Sequence, residues 1–450
     1  MPMVHDVPRT RRRLATAVLA AVLALPVAAC SGVDRDTSPA PLQLWTHGGS
    51  DGEQDALRSL VAQWERETGH EVEVTVVDEG DYVDQVQAAA AAGTLPDVLD
   101  LDGPYTAALA YRGDLLDLQP LLPSATVDDL LPSLRAQGGY DDGLYSVGAF
   151  DSGLALFADA RALRDAGTRV PTGPDDAWSA QETTAALQAL AARDDDGRVL
   201  DLKLGYGTGE WFMFAFAPLV ASAGGSLLDP RTGLASGRMD SPAAVDALEQ
   251  LRAWSPYTDP DPAGDAFVER RVALSWVGHW AYADYEAALG DDLVLLPLPD
   301  LGTGSRSGLG SWAWTVPSAT RDVEQAVDLV DHLVSPQAVR TMTAANHAVP
   351  GRLSVLRGSP AYAPGGPLHL YAEQLTRACA ADGDPADPTE TACVATPRPV
   401  TPAYPVVTAA FARAVADVVV EGRPAREALA AAARQVDDDA RLTGYVLPGG

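Results

Sequence analysis

Between Leu42 and Gly113 the chain switches repeatedly between a two-residue and a nearly four-residue apolar spacing. LQLW, starting at Leu42, reads as a strand. In the next stretch Leu57, Leu60, Val61 and Trp64 fall on one helical face. Ser50 and Glu53 have the spacing of a capping box, and Gly69 suits the stop. EVEVTVV (Glu71 to Val77) alternates as a second strand, and Asp81 to Ala92 forms a second helix ended by Gly93. DVLDL (Asp97 to Leu101) is a third strand, followed by a short helix from Pro104 to Tyr111. Strand and helix in strict alternation predict an α/β fold with a largely parallel sheet. Ligands of such sheets sit beyond the carboxyl ends of the strands. That nominates the loops Thr46 to Asp51, Asp78 to Asp81 and Leu101 to Tyr105.

Further on, Leu144 to Leu163 reads as a long strand broken at Asp151-Ser152-Gly153, which allows a passage from one lobe to another. Capped helices begin at Ser179 and Ser241, and one or two more lie within Arg321 to Ala345. Ala410 to Val436 holds two helices separated by a Gly-Arg-Pro break. No repeat of fixed period is present. At 450 residues the chain exceeds one compact core.

Residues 1–29 read as an export signal: a basic head, then an apolar run of sixteen residues, LATAVLAAVLALPVAA, too short for a convincing membrane span. Val27-Ala28-Ala29-Cys30 resembles a bacterial lipobox, in which Cys30 is lipidated and becomes the first mature residue. Plain cleavage beside an incidental cysteine is the alternative. Thr10 to Ala15 resembles a twin-arginine signal, so the export route stays open. Residues 30–41 would form a polar tether. The formal charge is −30 and becomes more negative without the signal, which carries four Arg and one Asp. Such acidity disfavours nucleic acid and anionic lipid as partners. With Cys30 lipidated, Cys379 and Cys393 remain as an even pair in an exported chain, which suggests a disulfide. Closing a loop of that length contributes about 3 kcal/mol on the chain-entropy model.

Catalytic and cofactor signatures are lacking. The histidines have no HExxH spacing, and there is no GxSxG elbow, P-loop or zinc pattern. Gly205 to Glu210 is glycine-rich without the dinucleotide spacing. No cofactor, metal or catalytic residue is expected.

Several stretches taken together resemble the bacterial extracellular solute-binding proteins of family 1, the carbohydrate-capturing subunits of ABC importers. They are Gly93 to Leu118 (GTLPDVLDLDGPYTAALAYRGDLLDL), the crossing strand GLYSVGAFDSGLALFADARAL, RRVALSWVGHWAYADY with its Gly-x-Trp strand end, and the C-terminal segment Arg398 to Asp438. Their order, with the lipobox, carries the likeness. Asp194 to Asp196 and the loop between the two late cysteines match no motif of that family. Tyr105 stands where the family commonly has Asn. The resemblance implies two α/β lobes, each a mainly parallel sheet flanked by helices, with a hinge crossed two or three times. Lobe one would comprise residues 42–148 and 267–314, and lobe two residues 149–266 and 315–450. It also implies a monomer that captures a mono- or oligosaccharide and passes it to permease subunits. It would be tethered to the outer face of the membrane through lipid on Cys30.

A sugar offers hydroxyls at its edge and C–H patches on its faces, so a site needs a flat ring and a polar rim. Trp280, following Gly278 at a strand end, is the first candidate platform. Trp312 and Trp211 are further candidates, each also readable as packing. Trp45, Trp64, Trp276, Tyr282 and Tyr285 read as core, and Trp314 is open between the two. Asp102, Asp151, Arg352 and Tyr105 are the polar candidates, with Asp51 and Glu79 behind them because helix capping already explains an acid there. Two rivals stand beside sugar capture. One is a secreted carbohydrate-active hydrolase with paired carboxylates. The other is a binding protein for a polyamine, a phosphodiester or a metal.

Overall fold

The computed structural model describes residues 40–261, 264–379 and 393–445. The signal, Cys30 and nearly all of the tether lie outside the described residues. From Pro41 onward the chain forms one compact unit containing two four-stranded sheets.

The first sheet contains β1 (Leu42–His47), β2 (Val72–Val77) and β3 (Val98–Asp102), with β1 central and parallel to both neighbours. Between β1 and β2 runs α1 (Asp51–Thr68), where Ser50 and Glu53 form the expected capping box and Gly69 closes the helix in the left-handed conformation. The helix between β2 and β3, α2 (Glu79–Ala92), starts two residues earlier than the spacing predicts because the Asp78 side chain accepts from Gly80 N.

The second sheet begins with β5 (Leu154–Asp159), entered directly from a short crossing strand, β4 (Phe150–Asp151). Its other strands are β6 (Leu200–Asp201), β7 (Leu274–Gly278) and β8 (Leu293–Leu296). Strands β6 and β7 pair in parallel, whereas β5 runs antiparallel to both β7 and β8. The sheet is mixed because β5 arrives from the crossing and not through a helical crossover. All five residues of β7 are buried, so it needs cover on both faces.

Two further segments complete the crossings. β9 (Ser307–Leu309) leads into β10 (Trp312–Thr315), which joins the first sheet antiparallel to β3. β11 (Val349–Pro350) pairs with β4, and β12 (Ala395–Pro397) pairs with β9. The chain therefore passes between the two sheets at Phe150–Gly153, at Leu309–Ser311 and after β11.

This topology revises the expected lobe boundaries. Residues 274–296, expected in the first lobe, build the second sheet. Conversely α5 (Val323–Leu333) and α6 (Pro336–Asn346), expected in the second lobe, pack on α1. The reason is burial. The stripe Leu57, Leu60, Val61 and Trp64 is covered by Ala326, Val330, Leu333 and Val339, and Trp64 Nε1 donates to Asp328 at 2.8 Å. On the other side α3 (Glu210–Ser222) is buried almost all round, against α4 (Pro242–Trp254) and α7 (Tyr404–Val419), with α8 (Ala425–Thr443) outside. Cys379 and Cys393 are disulfide-bonded.

Candidate functional site

The carboxyl ends of β1 and β3 and the start of β10 meet at one edge of the first sheet. Sheet register sets Trp312 directly beside Asp102. The half-exposed Trp312 indole lies flat on the His47 ring, with centroids 3.9 Å apart and planes 5° apart. The Tyr82 ring meets it edge-on at 5.6 Å. His47 Nδ1 lies 2.7 Å from Asp100 Oδ2, which also accepts from Thr46 Oγ1 at 3.0 Å. Burial alone would lower the His47 pKa. The charge and hydrogen bond of Asp100, helped by Glu53 and Glu79, instead raise it to about 9. The ring is therefore an imidazolium at neutral pH, and a cation stacked on an indole face is an attractive pair. With Nδ1 committed to Asp100, the Nε2–H is the donor His47 has left.

A second wall belongs to the other sheet. Trp280 follows β7 and is half-buried. Its ring lies 6.1 Å from Trp211, near perpendicular, and 6.3 Å from Phe214 at 31°. A Cβ on Gly278 would sit 2.1 Å from Trp280 Cζ3, so the indole folds back over bare backbone. That close approach is the physical content of the Gly-x-Trp pattern.

The two walls are joined by Arg398, the residue after β12. Its Nη2 donates to Asp102 Oδ1 at 2.6 Å and its Nη1 to Asp102 Oδ2 at 2.7 Å. Nη1 also donates to Glu210 Oε1 at 2.6 Å, at the start of α3. The guanidinium carbon is 4.9 Å from the Phe214 ring centre. Glu210 further accepts from Thr408 Oγ1 at 2.7 Å and from the Tyr404 hydroxyl. A line of neighbours thus runs from Trp312, paired in register with Asp102, through Arg398 and Phe214 to Trp280.

Of the candidates named from sequence, Trp312, Asp102, Trp280, Trp211 and Tyr105 come together here, and Glu79 joins them electrostatically. Trp211 is buried with its Nε1 donating to Leu202 O at 3.1 Å, so it backs Trp280. Tyr105 is also buried, edge-on to Tyr404 at 5.0 Å, with its hydroxyl 3.4 Å from Glu210 Oε2. Glu79 is exposed at the start of α2, and its pKa is raised. Crowding by protein raises it first, His47 opposes, and Asp102, Glu53 and Asp100 add to the rise. Asp51 is an exposed first residue of α1, beside its cap.

Two candidates are buried against protein groups. Asp151 is fully buried at the first crossing, where its Oδ1 accepts from Ser152 N at 2.9 Å and Gly310 N at 3.1 Å. It ties two crossing strands together, and burial raises its pKa to about 6. Arg352, expected to turn toward the cleft, is buried instead. Its Nε donates to Val334 O at 2.7 Å and its Nη1 to Thr126 O at 2.6 Å. It satisfies carbonyls at helix ends, which have no partner within their own helix.

Sequence reasoning missed His47, Glu210, Arg398 and Phe214. His47 lies inside a nominated loop, so its position was available though its stacking was not. Arg398 and Asp102 are 296 residues apart, and no local spacing links them. A Ser–His contact also occurs at the crossings: Ser152 Oγ lies 2.8 Å from His279 Nε2 and 3.0 Å from Ser311 Oγ. His279 Nδ1 faces Asn346 O at 2.7 Å, not a carboxylate, and burial lowers its pKa to about 4. Both residues are buried, so the contact fastens the crossings together.

Residues 59–364 match the family model of a bacterial extracellular solute-binding protein. Over 197 residues the chain is 31% identical to an uncharacterised lipoprotein in the oleD 5′ region of Streptomyces antibioticus, a match covering 43% of this chain and 42% of that one. The chain thus spans less than half the length of this curated relative. Among solved structures it is similar to the GacH receptor of Streptomyces glaucescens, determined unliganded and with acarbose. That match has a TM-score of 0.71 and 22% identity, covering 90% of this chain and 99% of the other. A cyclic α-maltosyl-1,6-maltose binding protein from Arthrobacter globiformis matches with a TM-score of 0.69 and 21% identity, covering 89% and 99%. At these identities the likeness establishes the fold, a two-lobed α/β architecture.

Proposed function

The chain belongs to the bacterial extracellular solute-binding proteins, and from that premise we propose that it captures a mono- or oligosaccharide between its two lobes. The bound sugar is released unchanged to the permease of an ABC importer. The observation that carries this reading is the pair of half-exposed indoles, Trp312 from the first sheet and Trp280 from the second, joined through Asp102, Arg398 and Phe214. Two flat apolar faces on opposing lobes suit the two C–H faces of a pyranose. Glu79 and the His47 Nε2–H supply an acceptor and a donor for hydroxyls. Asp102 contributes by holding Trp312's surroundings, since both its oxygens already serve Arg398. The similar receptors solved with acarbose and named for a cyclic maltosyl-maltose support a saccharide ligand.

The protein acts at the outer face of the membrane as a monomer anchored by lipid on Cys30. The lipobox and the similar Streptomyces lipoprotein support that placement. Among the described residues no helix is long and apolar enough to cross a membrane. No group of three or more His, Cys, Asp or Glu among them is arranged to hold a metal ion. The sole role assigned to the site is reversible binding, with the lobes closing by hinge motion about the three crossings.

A thermal-shift panel of maltose, maltotriose, acarbose and a cyclic glucan tests the proposal. At a hundredfold excess over Kd a true ligand raises Tm by about 3 °C for a chain of this size. A panel of sugars that leaves Tm unmoved, with spermidine or a divalent metal raising it, replaces sugar capture with the cationic alternative. Cleavage of maltotriose on prolonged incubation replaces it with the hydrolase.

A further inference from the structure

The glycine-rich stretch from Gly205 to Glu210, which carries no cofactor signature, lies beside the Trp280 wall. It belongs to the connection from β6 to α3, which makes a single turn at Leu204–Tyr206 before the helix starts at Glu210. Tyr206 is 49% exposed. Its ring meets Trp211 near edge-on, with centroids 5.3 Å apart and planes at 70°, and Trp211 in turn meets Trp280 at 6.1 Å. Crowding by protein raises the Tyr206 pKa first, while Lys203 and the Trp280 side chain, bonded to its hydroxyl, pull it back. Lys203 anchors the start of the stretch. It is a buried non-glycine residue in the left-handed region, at φ 52°. Its N–H donates to Asp201 Oδ1 at 2.7 Å, and its Nζ lies 2.7 Å from Asp201 Oδ2 and bonds Gly264 O. The same Nζ is 5.9 Å from the Tyr206 ring centre. Such backbone persists only where its surroundings over-determine it. Beyond Tyr206, Gly207 takes φ 94° and ψ 169°, a region kept for glycine, and a Cβ there would meet nothing within 4 Å. Glycine at 207 therefore serves conformation and not crowding. The ring thus sits on a short flap, fixed at Lys203 and at α3 and jointed by glycine between them.

We propose that Tyr206 is a third sugar-contacting ring of the site: it forms a subsite next to Trp280 that takes the neighbouring unit of an oligosaccharide, and so gives longer chains an advantage over a single sugar. This rests on the capture reading above and narrows its ligand. The physical argument has two parts. Core packing does not account for the ring, because Trp211, Phe212, Phe214 and Phe216 are already buried at the start of α3 while Tyr206 stays half outside. Among the described residues Tyr111 is equally exposed, but it packs with Tyr140 and Tyr445, whereas Tyr206 joins the rings that carry a plate. A tyrosine also offers what a second sugar unit needs: a flat apolar face with a polar tip, ordered at little entropic cost. A flap jointed by glycine lets that face settle on the chain as the lobes close.

Calorimetry with glucose, maltose, maltotriose and maltotetraose, and with cellobiose to cellotetraose, tests the subsite. Wild-type affinity should rise with chain length in the series that binds. Tyr206→Ala should lose about fivefold or more for the longest sugar bound and less than about twofold for the shortest, so the dependence on length flattens. Tyr206→Phe, which keeps the ring, should retain most of that dependence. Gly207→Ala, which strains the flap without filling space, should resemble a milder Tyr206→Ala. Because Tyr206 is exposed, the Tm of Tyr206→Ala should stay near wild type. A ring that merely props the wall would lower affinity for every length alike. An unchanged length dependence in Tyr206→Ala, whether affinity holds throughout or falls equally for every sugar, overturns the subsite and leaves sugar capture standing. So does a wild-type affinity that does not grow with length. If wild-type protein binds neither series, the capture reading fails and the subsite falls with it.

Discussion

The two indole walls reach the same form by different physics. Trp312 is held by charge: an imidazolium lies flat under it and a buried carboxylate fixes that imidazolium. Trp280 is held by shape: rings flank it and a glycine leaves room for its edge. A wall held by charge depends on pH and loses its support when one proton leaves. A wall held by shape depends on volume and is indifferent to pH. One cleft thus combines a tunable face with a fixed one.

Removing both plates has the largest expected effect on affinity. Trp280→Ala and Trp312→Ala should each weaken sugar binding at least tenfold, about 1.4 kcal/mol apiece. The double variant should approach a hundredfold if the plates act independently, measured by calorimetry with a panel sugar. Unchanged affinity in Trp280→Ala would reassign that ring to packing. Gly278→Ala comes next. The added methyl forces the Trp280 indole aside and costs about 1–3 kcal/mol of stability, with a matching loss of affinity, while Trp312 fluorescence stays as it was.

Smaller and more selective is His47→Gln, expected to cost severalfold in affinity at pH 7 through the lost cation stack. Its sharper readout is the pH profile. Because the folded pKa of His47 is raised to about 9, its stabilisation is complete below the ordinary histidine range and is lost as pH rises through about 9. Wild-type stability and affinity should therefore decline from about pH 7 to pH 9. The His47→Gln slope in that window should be flat, and a slope equal to wild type removes the charge-held description of this wall.

Asp151→Asn should leave affinity nearly unchanged, since the residue fastens the crossings and does not face sugar. The amide oxygen can keep both N–H bonds made by Oδ1. The Asp151 pKa is raised to about 6, so the wild-type contribution is favourable when protonated and is lost as pH rises from about 4 to 6. The asparagine variant should be more stable at pH 7, by something on the order of 1–3 kcal/mol in urea unfolding, with no pH slope in that window. A destabilised variant at pH 7 shows that the charge itself holds the crossing.

The local grammar of the chain explains much of what proved legible. Ser50, Glu53 and Gly69 bound α1 through contacts within a few residues, and the Leu57–Trp64 stripe names its buried face. Loops at strand ends are likewise local, so Asp102, Tyr105, Glu79 and the segment holding His47 were all within reach. Asp151 and Arg352 are both taken up by backbone groups, which their sequence surroundings do not reveal, for one reason. A polar residue at a chain break reads the same whether its partner is a ligand or a backbone group from a distant segment. The assignment of residues 274–296 and 323–346 to the wrong lobes has a related cause. An apolar strand or stripe announces that it will be covered, not by what.

Sequence alone determined the first three strands and their helices, several caps, the α/β class and the Gly278–Trp280 pairing, because each depends on spacing within a turn or two of chain. Only the tertiary structure decided which sheet β7 and β10 join, that His47 lies beneath Trp312, and that Arg398 bridges Asp102 and Glu210. These are unions of residues far apart in sequence, chosen by the burial of whole faces and the pairing of buried charges, and no short window of residues contains both partners.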